Sequence, residues 1–292
     1  MSSLDDFQDI TRRDVPLNQY SWLKTGGPAQ FLIEPRTFDE LQKVVRCCHD
    51  EQIPVHVLGG GSNVLIRDEG VAGVVLRLVA PEFEQVAISG NIVTAGAGAL
   101  LSHVVSRSIE AGLGGFENLV GIPGTIGGAL KGNAGGRSGD IGSYTKSVTV
   151  LTAKGERFIR TEEELTFEYR ESSINELVIL EASFELQPGD AEQISQKMRR
   201  IWITKKAAQP LAFQSAGCVF RNPRGLSAGA LIEQANLKGT RLGHCEVSDR
   251  HANFIVTEDG ATTHEVKQLI DMIRAKVLET HGVELELELQ VW

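Results

Sequence analysis

Two groups of residues in this chain carry side-chain or backbone chemistry that a catalyst would use. The first centres on Cys218, in "SAGCVFRNPRG" (215–225), between small residues and a phenylalanine-arginine-asparagine-proline run. A thiol, with an ordinary pKa of about 8.5, releases a proton far more readily than an aliphatic hydroxyl, so Cys218 suits a proton donor. The plain alternative for a lone cysteine is a small buried hydrophobe. The second group is glycine. "GGGSN" (59–63) and "GIPGTIGG" (121–128) both follow or precede apolar runs of strand type. Without a Cβ, backbone N–H groups can approach phosphate oxygens closely, and two such loops flanking β segments point to the pyrophosphate of a dinucleotide.

Other chemistries are excluded. No G-x-x-x-x-G-K-[ST] loop occurs, and "GAGALL" (96–101) lacks the third glycine of the Rossmann fingerprint. Zinc-protease, serine-hydrolase and EF-hand patterns are absent, and His244, Cys245 and His251 have no ligand spacing, so no metal site is expected. The cysteines at 47, 48, 218 and 245 form no C-x-x-C pair, which predicts reduced thiols. A net charge of −9 argues against a general nucleic-acid binder, yet Arg199 to Arg250 holds nine basic residues against three acidic ones. Such a local excess suits an anionic ligand; a solvated basic face is the alternative.

These residues need elements to position them. Thr37 and Glu40 have capping-box spacing before a helical face of Leu41, Val44, Val45 and Cys48, with Pro54 expected to end that helix. "VHVL" (55–58) reads as a strand leading into the first glycine loop. Leu101, Val104, Val105 and Ile109 form a second helical stripe that stops at Gly112. "KSVTVLTAKGERFIRT" reads as a hairpin and "VILEASFEL" (178–186) as a strand. A helix through Ile194, Met198 and Ile201 leads to Pro210, a candidate domain boundary. Thr262 and Glu265 cap a last helix that Gly282 closes, and "VELELELQVW" alternates strictly. The length, 292 residues, predicts two or three domains. With no apolar run near the ~20 residues a spanning helix needs and an acidic, polar start, a cytoplasmic protein is expected.

Taken in order, "NQYSWLKTGGPAQFLIEP", "VHVLGGGSNVLI", "GLGGFENLVGIPGTIGGALKGNAGG", "FEYRESS", "QPLAFQSAGCVFRNP", "AGALIEQANLKGTRLGHCEVSDRHANFIV" and "HGVELELEL" resemble the UDP-N-acetylenolpyruvoylglucosamine reductase (MurB) family across nearly the whole chain. The resemblance implies an α+β fold. Its two-part FAD-binding region, of the vanillyl-alcohol-oxidase/PCMH type, would occupy residues 1–78 and 79–207, and a substrate domain 208–292. It implies reduction of UDP-N-acetylglucosamine enolpyruvate to UDP-N-acetylmuramate with FAD and NADPH, in peptidoglycan synthesis, by a monomer acting on small molecules.

Carried over residue by residue, it makes Cys218 the proton donor, where the family usually has serine. Arg170 in "YRES" holds the substrate carboxylate, and Glu288 assists charge and proton management, with Glu286 as the alternative. After that glutamate the family normally continues with arginine, valine, isoleucine and glycine, where this chain has Leu289, Gln290, Val291 and Trp292. FAD would lie on Gly59, Gly60, Gly61, Ser62, Asn63, Gly121, Pro123, Gly124, Gly127, Gly128, Asn133, Ala134 and Gly135. Lys206, Asn222 and Arg221 would bind substrate. The short link from "YRESS" to "SAGC" is similar to the loop-less second type of the family. Two rivals remain: an FAD-dependent oxidase of the same wider group, and a non-catalytic flavin or nucleotide-sugar binder.

Overall fold

The computed structural model describes residues 3–136 and 139–292, an α+β chain that divides into two compact units. The first comprises the chain up to Asp14 with Gln30–Gly60 and Ala72–Ile203; the second comprises Val15–Ala29, Gly61–Val71 and Thr204–Trp292.

In the first unit, α1 (Phe38–Asp50) begins as its sequence predicts: Thr37 Oγ1 accepts the Glu40 N–H at 3.2 Å. The reciprocal half of the box does not form. Glu40 turns its carboxylate to the Arg36 N–H (2.7 Å) and guanidinium instead. Leu41, Val44, Val45 and Cys48 are buried as their spacing requires, and burial pushes the Cys48 thiol up to about 12. The helix stops at Asp50, before Pro54, because the chain reverses through Gln52 (φ +56°) and the Ile53 N–H returns to the Cys48 carbonyl at 2.8 Å.

A four-stranded sheet runs in the order Thr11–Pro16, Pro28–Ile33, Val71–Leu76, Val55–Val57, the last two parallel. A five-stranded antiparallel sheet runs in the order Arg157–Thr161, Thr145–Leu151, Val178–Glu185, Ile92–Gly96, Val86–Ser89. The expected hairpin is its edge, turned at Gly155 with φ +73°. α2 (Leu101–Glu110) buries Leu101, Val104, Val105 and Ile109, and Phe116 meets Phe184 edge to face with ring centroids 5.1 Å apart. The second glycine loop, 121–128, runs into one short helix, α3 (Ile126–Lys131).

Just before that stretch lies a buried carboxylate. Glu117, 4% exposed, accepts Lys197 Nζ at 2.7 Å and the Gly115 N–H at 2.5 Å; Lys197 belongs to α4 (Ala191–Ala208). Burial alone would raise its pKa. The Lys197 ammonium and the donated N–H outweigh that and hold it below the ordinary carboxylate range. A depressed folded-state pKa stabilises the fold above the unfolded value of about 4.3, and the gain disappears as pH falls through the folded value. Glu117→Gln is therefore expected to lower the melting temperature most at neutral pH, with the gap to the parent closing as the pH falls below the ordinary carboxylate range. Melts across that range check it; a gap independent of pH would contradict the ion pair's role.

The second unit packs α5 (Ala228–Gln234) and α6 (Thr263–His281) with a three-stranded antiparallel sheet, Arg241–Leu242, Cys245–Val247 and Ile255–Thr257. Its core includes Leu23, Leu65, Phe220, Ile232, Leu269 and Leu285. Both halves of the α6 capping box form, and Gly282 closes the helix at φ +68°. The carboxyl-terminal run departs from its pattern. Only Gln290–Val291 pairs as a strand, parallel to Val64–Leu65, and Leu287 makes a single bridge to Phe220. Leu285 and Leu289 are buried and Glu284 and Glu286 exposed, but Glu288 is half-buried and Val291 is 40% exposed. Alternation holds through Glu286 and again at Leu289 and Gln290, and departs at Glu288 and Val291. Among the described residues no helix is long and apolar enough to cross a membrane, and no cluster of three His, Cys, Asp or Glu could hold a metal ion.

Candidate active site

In the first unit the two glycine loops lie against each other. A Cβ on Gly59 would sit 2.7 Å from Thr125 Oγ1, and one on Gly60 would sit 2.7 Å from Gly124 Cα. Only glycine allows that approach. The N–H groups of Gly59, Gly60, Gly121 and Gly124 find no acceptor among the described residues, so four backbone donors are left on these loops. Such a donor set fits the diphosphate of a dinucleotide. Pro123 shapes the same loop. The N–H groups of Gly127 and Gly128 are already engaged, bonding Ala97 O (2.9 Å) and Thr125 Oγ1 (3.4 Å). Gly60→Ala is expected to yield a protein with little bound flavin and a lowered melting temperature, since a Cβ at 2.7 Å from backbone cannot be absorbed by a rotamer. Visible absorbance of the purified variant reads this out, and parental flavin content would contradict it.

Arg170 occupies the turn of a small hairpin, Phe167–Glu168 paired with Glu171–Ser172. Its φ of +61° is a left-handed value that non-glycine residues seldom adopt. Nη1 donates to Gly135 O at 3.0 Å, and the guanidinium lies 5.2 Å over the Tyr169 ring. Asn133, 2% exposed and itself at φ +39°, ties this hairpin down: Nδ2 donates to Glu168 O (2.7 Å) and Oδ1 accepts the Gly142 N–H (3.1 Å). Ala134 accepts from the Ile141 N–H, and Gly135 pairs so closely with Asp140 that a Cβ would meet its Cα at 2.5 Å.

The second unit brings four of the singled-out residues together. The Gly217 N–H donates to Ser62 O (3.3 Å), the Glu288 N–H to Val219 O (2.8 Å), and Asn63 Nδ2 to Glu288 O (3.1 Å). Cys218 thus lies between a residue bonded to Ser62 and one bonded to Glu288. It is half-buried, whereas Cys47, Cys48 and Cys245 are buried, and none of the four is in a disulfide. Gly61 locks the loop: its Cβ would fall 1.8 Å from Tyr20 O, and its own carbonyl accepts the Trp22 N–H.

Substrate-binding candidates divide by what they already do. Lys206 is exposed near the end of α4, and its side chain makes no hydrogen bond or ion pair among the described residues. Asn222 Oδ1 accepts the Ala228 N–H at 3.0 Å, helping to cap α5. Arg221 Nε is buried without a partner among the described residues, an unmet donor suited to an anion. Sequence reasoning missed Asn253 and Glu117. Each is a polar residue inside an apolar run, "HANFIV" and "GFENLV", and that placement is the signal of a buried polar clamp.

Residues 209–292 match the family model described as UDP-N-acetylenolpyruvoylglucosamine reductase, C-terminal domain, and residues 29–159 match that of an FAD binding domain. The chain is 36% identical to UDP-N-acetylenolpyruvoylglucosamine reductase of Rhodopirellula baltica over 99% of its own length and 94% of the relative's. It is 39% identical to UDP-N-acetylenolpyruvoylglucosamine reductase 2 of Symbiobacterium thermophilum over 96% and 92%. The crystal structure of UDP-N-acetylenolpyruvylglucosamine reductase (MurB) from Thermus caldophilus matches with a TM-score of 0.84 at 38% identity, covering 97% of this chain and 99% of that one.

Proposed function

The chain belongs to the UDP-N-acetylenolpyruvoylglucosamine reductase family, and from that premise we propose that it reduces UDP-N-acetylglucosamine enolpyruvate to UDP-N-acetylmuramate with NADPH, in peptidoglycan precursor synthesis. It is an oxidoreductase of α+β class with an FAD binding domain. The observation that carries the finer reading is the backbone junction of Ser62, Asn63, Cys218 and Glu288 in the second unit.

When bound, FAD supplies the two-electron chemistry, accepting a hydride from NADPH and delivering one to the vinyl carbon of the enolpyruvyl ether. The donors of Gly59, Gly60, Gly121 and Gly124 hold its diphosphate. As hydride arrives at the substrate, negative charge spreads onto the substrate carboxylate. Arg170, a fixed guanidinium, stabilises that charge. Cys218 Sγ gives its proton to the neighbouring carbon and regains one from solvent. Glu288, half-buried where Glu284 and Glu286 are exposed, is the carboxylate of this run suited to proton handling. Lys206, Asn222 and Arg221 contact the substrate's anionic groups, and the basic segment that contains them favours its approach.

The test is anaerobic. NADPH should bleach the flavin absorbance of the purified protein, and the enolpyruvyl ether of UDP-N-acetylglucosamine should restore it, with UDP-N-acetylmuramate as product. Bleaching without recovery would point to another acceptor, and free NADPH oxidation in air would favour an oxidase.

A further inference from the structure

Asn253 is 2% exposed, and both polar atoms of its carboxamide go to one residue. Oδ1 accepts the Phe220 N–H at 2.9 Å and Nδ2 donates to the Phe220 carbonyl at 2.8 Å. Its own carbonyl accepts the Val219 N–H at 2.9 Å. On the opposite edge of this segment, Val219 O takes the Glu288 N–H at 2.8 Å and the Arg221 N–H donates to Glu286 O at 2.9 Å. Residues 219–221 therefore behave as a central strand. One neighbour is the carboxyl-terminal run with Glu288; the other is a single side chain that presents a donor and an acceptor as a peptide would. Phe220 is 1% exposed, so its N–H and C=O have no water to fall back on. A primary amide of this length meets both at once.

We propose that Asn253 is a positioning residue of the reaction: acting as a one-residue strand, it sets the backbone that carries Cys218 and, through Val219 and Arg221, the position of Glu288. The inference rests on the reading of Cys218 as proton donor. It assigns Asn253 no contact with substrate, since both its polar atoms are engaged by Phe220. A residue that merely supported the fold would affect flavin binding, flavin reduction and reoxidation alike. A positioning residue affects the step that needs Cys218.

Aspartate at this position gives a switchable test. Its carboxylate accepts the Phe220 N–H but opposes the Phe220 carbonyl with a second oxygen; protonated, it donates to that carbonyl and restores the pair. Burial and the facing carbonyl both raise the pKa of such a carboxyl. The titratable neighbour at this point is His251, whose Nδ1 accepts the Asn253 N–H at 3.2 Å; burial lowers its pKa, and Lys238 and Glu233 act on it more weakly. Its titration is shared with the parent and cancels in a ratio.

Two readouts on the full flavin-loaded chain decide the matter: the rate at which the enolpyruvyl ether reoxidises reduced flavin, and the rate at which iodoacetamide labels Cys218, mapped by peptide and measured without substrate. For Asn253→Asp at about pH 8, reoxidation is expected to fall about 100-fold relative to the parent, the scale of a displaced general acid, while flavin reduction by NADPH stays within about twofold. Labelling of Cys218 should quicken about tenfold, as a locally opened strand exposes it. On lowering the pH to about 5.5, both ratios to the parent should return to within a few-fold as the carboxyl is protonated. Asn253→Ala should show the defect at every pH; if that variant does not fold, the aspartate profile decides alone. Ratios that do not move with pH, or equal losses in reduction and reoxidation, would overturn the proposal. Should the parent itself fail to reoxidise with the enolpyruvyl ether, the functional reading falls, and the labelling ratio still tests Asn253.

Discussion

Cys218→Ala is expected to leave flavin reduction by NADPH intact and to slow delivery of those electrons to the enolpyruvyl ether by about 10²–10⁴-fold, the usual contribution of a positioned general acid. Cys218→Ser should retain appreciable turnover. Burial pushes the thiols of Cys48 and Cys245 up to about 12, whereas Cys218 is half-buried. The backbone fixes its place: Gly217 is bonded to Ser62 and Val219 to both Asn253 and Glu288, so the thiol is held at both flanks. Serine keeps the reach of the side chain and donates the stronger hydrogen bond, while its proton is harder to release. Alanine leaves no proton at that point, and water would have to supply it. Stopped-flow absorbance separates the two half-reactions. An alanine variant that reoxidises at the parental rate would remove Cys218 from the mechanism.

Much of the frame that holds this thiol was legible in sequence, because helices announce their own ends. Thr262, Glu265 and Gly282 bracket α6 by capping chemistry that depends only on local spacing, and the stripes of α1 and α2 bury the faces their period requires. The long-range pairings were not legible. Nothing local tells Gln290 to run parallel to Val64, or segments 15–29 and 61–71 to join the unit of 204–292. For the same reason the alternation of "VELELEL" gave three equivalent glutamates. Glu288 differs from Glu284 and Glu286 in being half-buried, with both its N–H and its carbonyl bonded, by Val219 and Asn63, residues remote in sequence. The glycine loops were legible as loops. That Gly60 presses on Gly124 was not, since a glycine's reason lies in the neighbour it admits.

Arg170 provides the other large effect, and there stability and activity should separate. A non-glycine residue held at φ +61° carries strain of about 1 kcal/mol or more, which glycine would relieve. Against that relief stand the bond from Nη1 to Gly135 O, the contact with Tyr169, and the greater freedom glycine gives the unfolded chain, about 0.4–1 kcal/mol. These terms nearly cancel, so Arg170→Gly should melt within a few degrees of the parent. Turnover should behave otherwise. Removing a preorganised cation from the place where carboxylate charge develops typically costs about 10²–10³ in kcat, and Arg170→Lys, which keeps the charge but loses the planar fork, should fall between. Flavin reduction by NADPH should be unchanged in both variants, because no substrate carboxylate is present in that step. If Arg170→Gly turned over within a few-fold of the parent at equal stability, Arg170 would be a turn residue and no more. If instead activity fell only in proportion to a lowered melting temperature, its role would be the hairpin and not the charge. A large loss of kcat in a protein as stable as the parent is the outcome that strain retained at a turn, for the sake of a guanidinium, predicts.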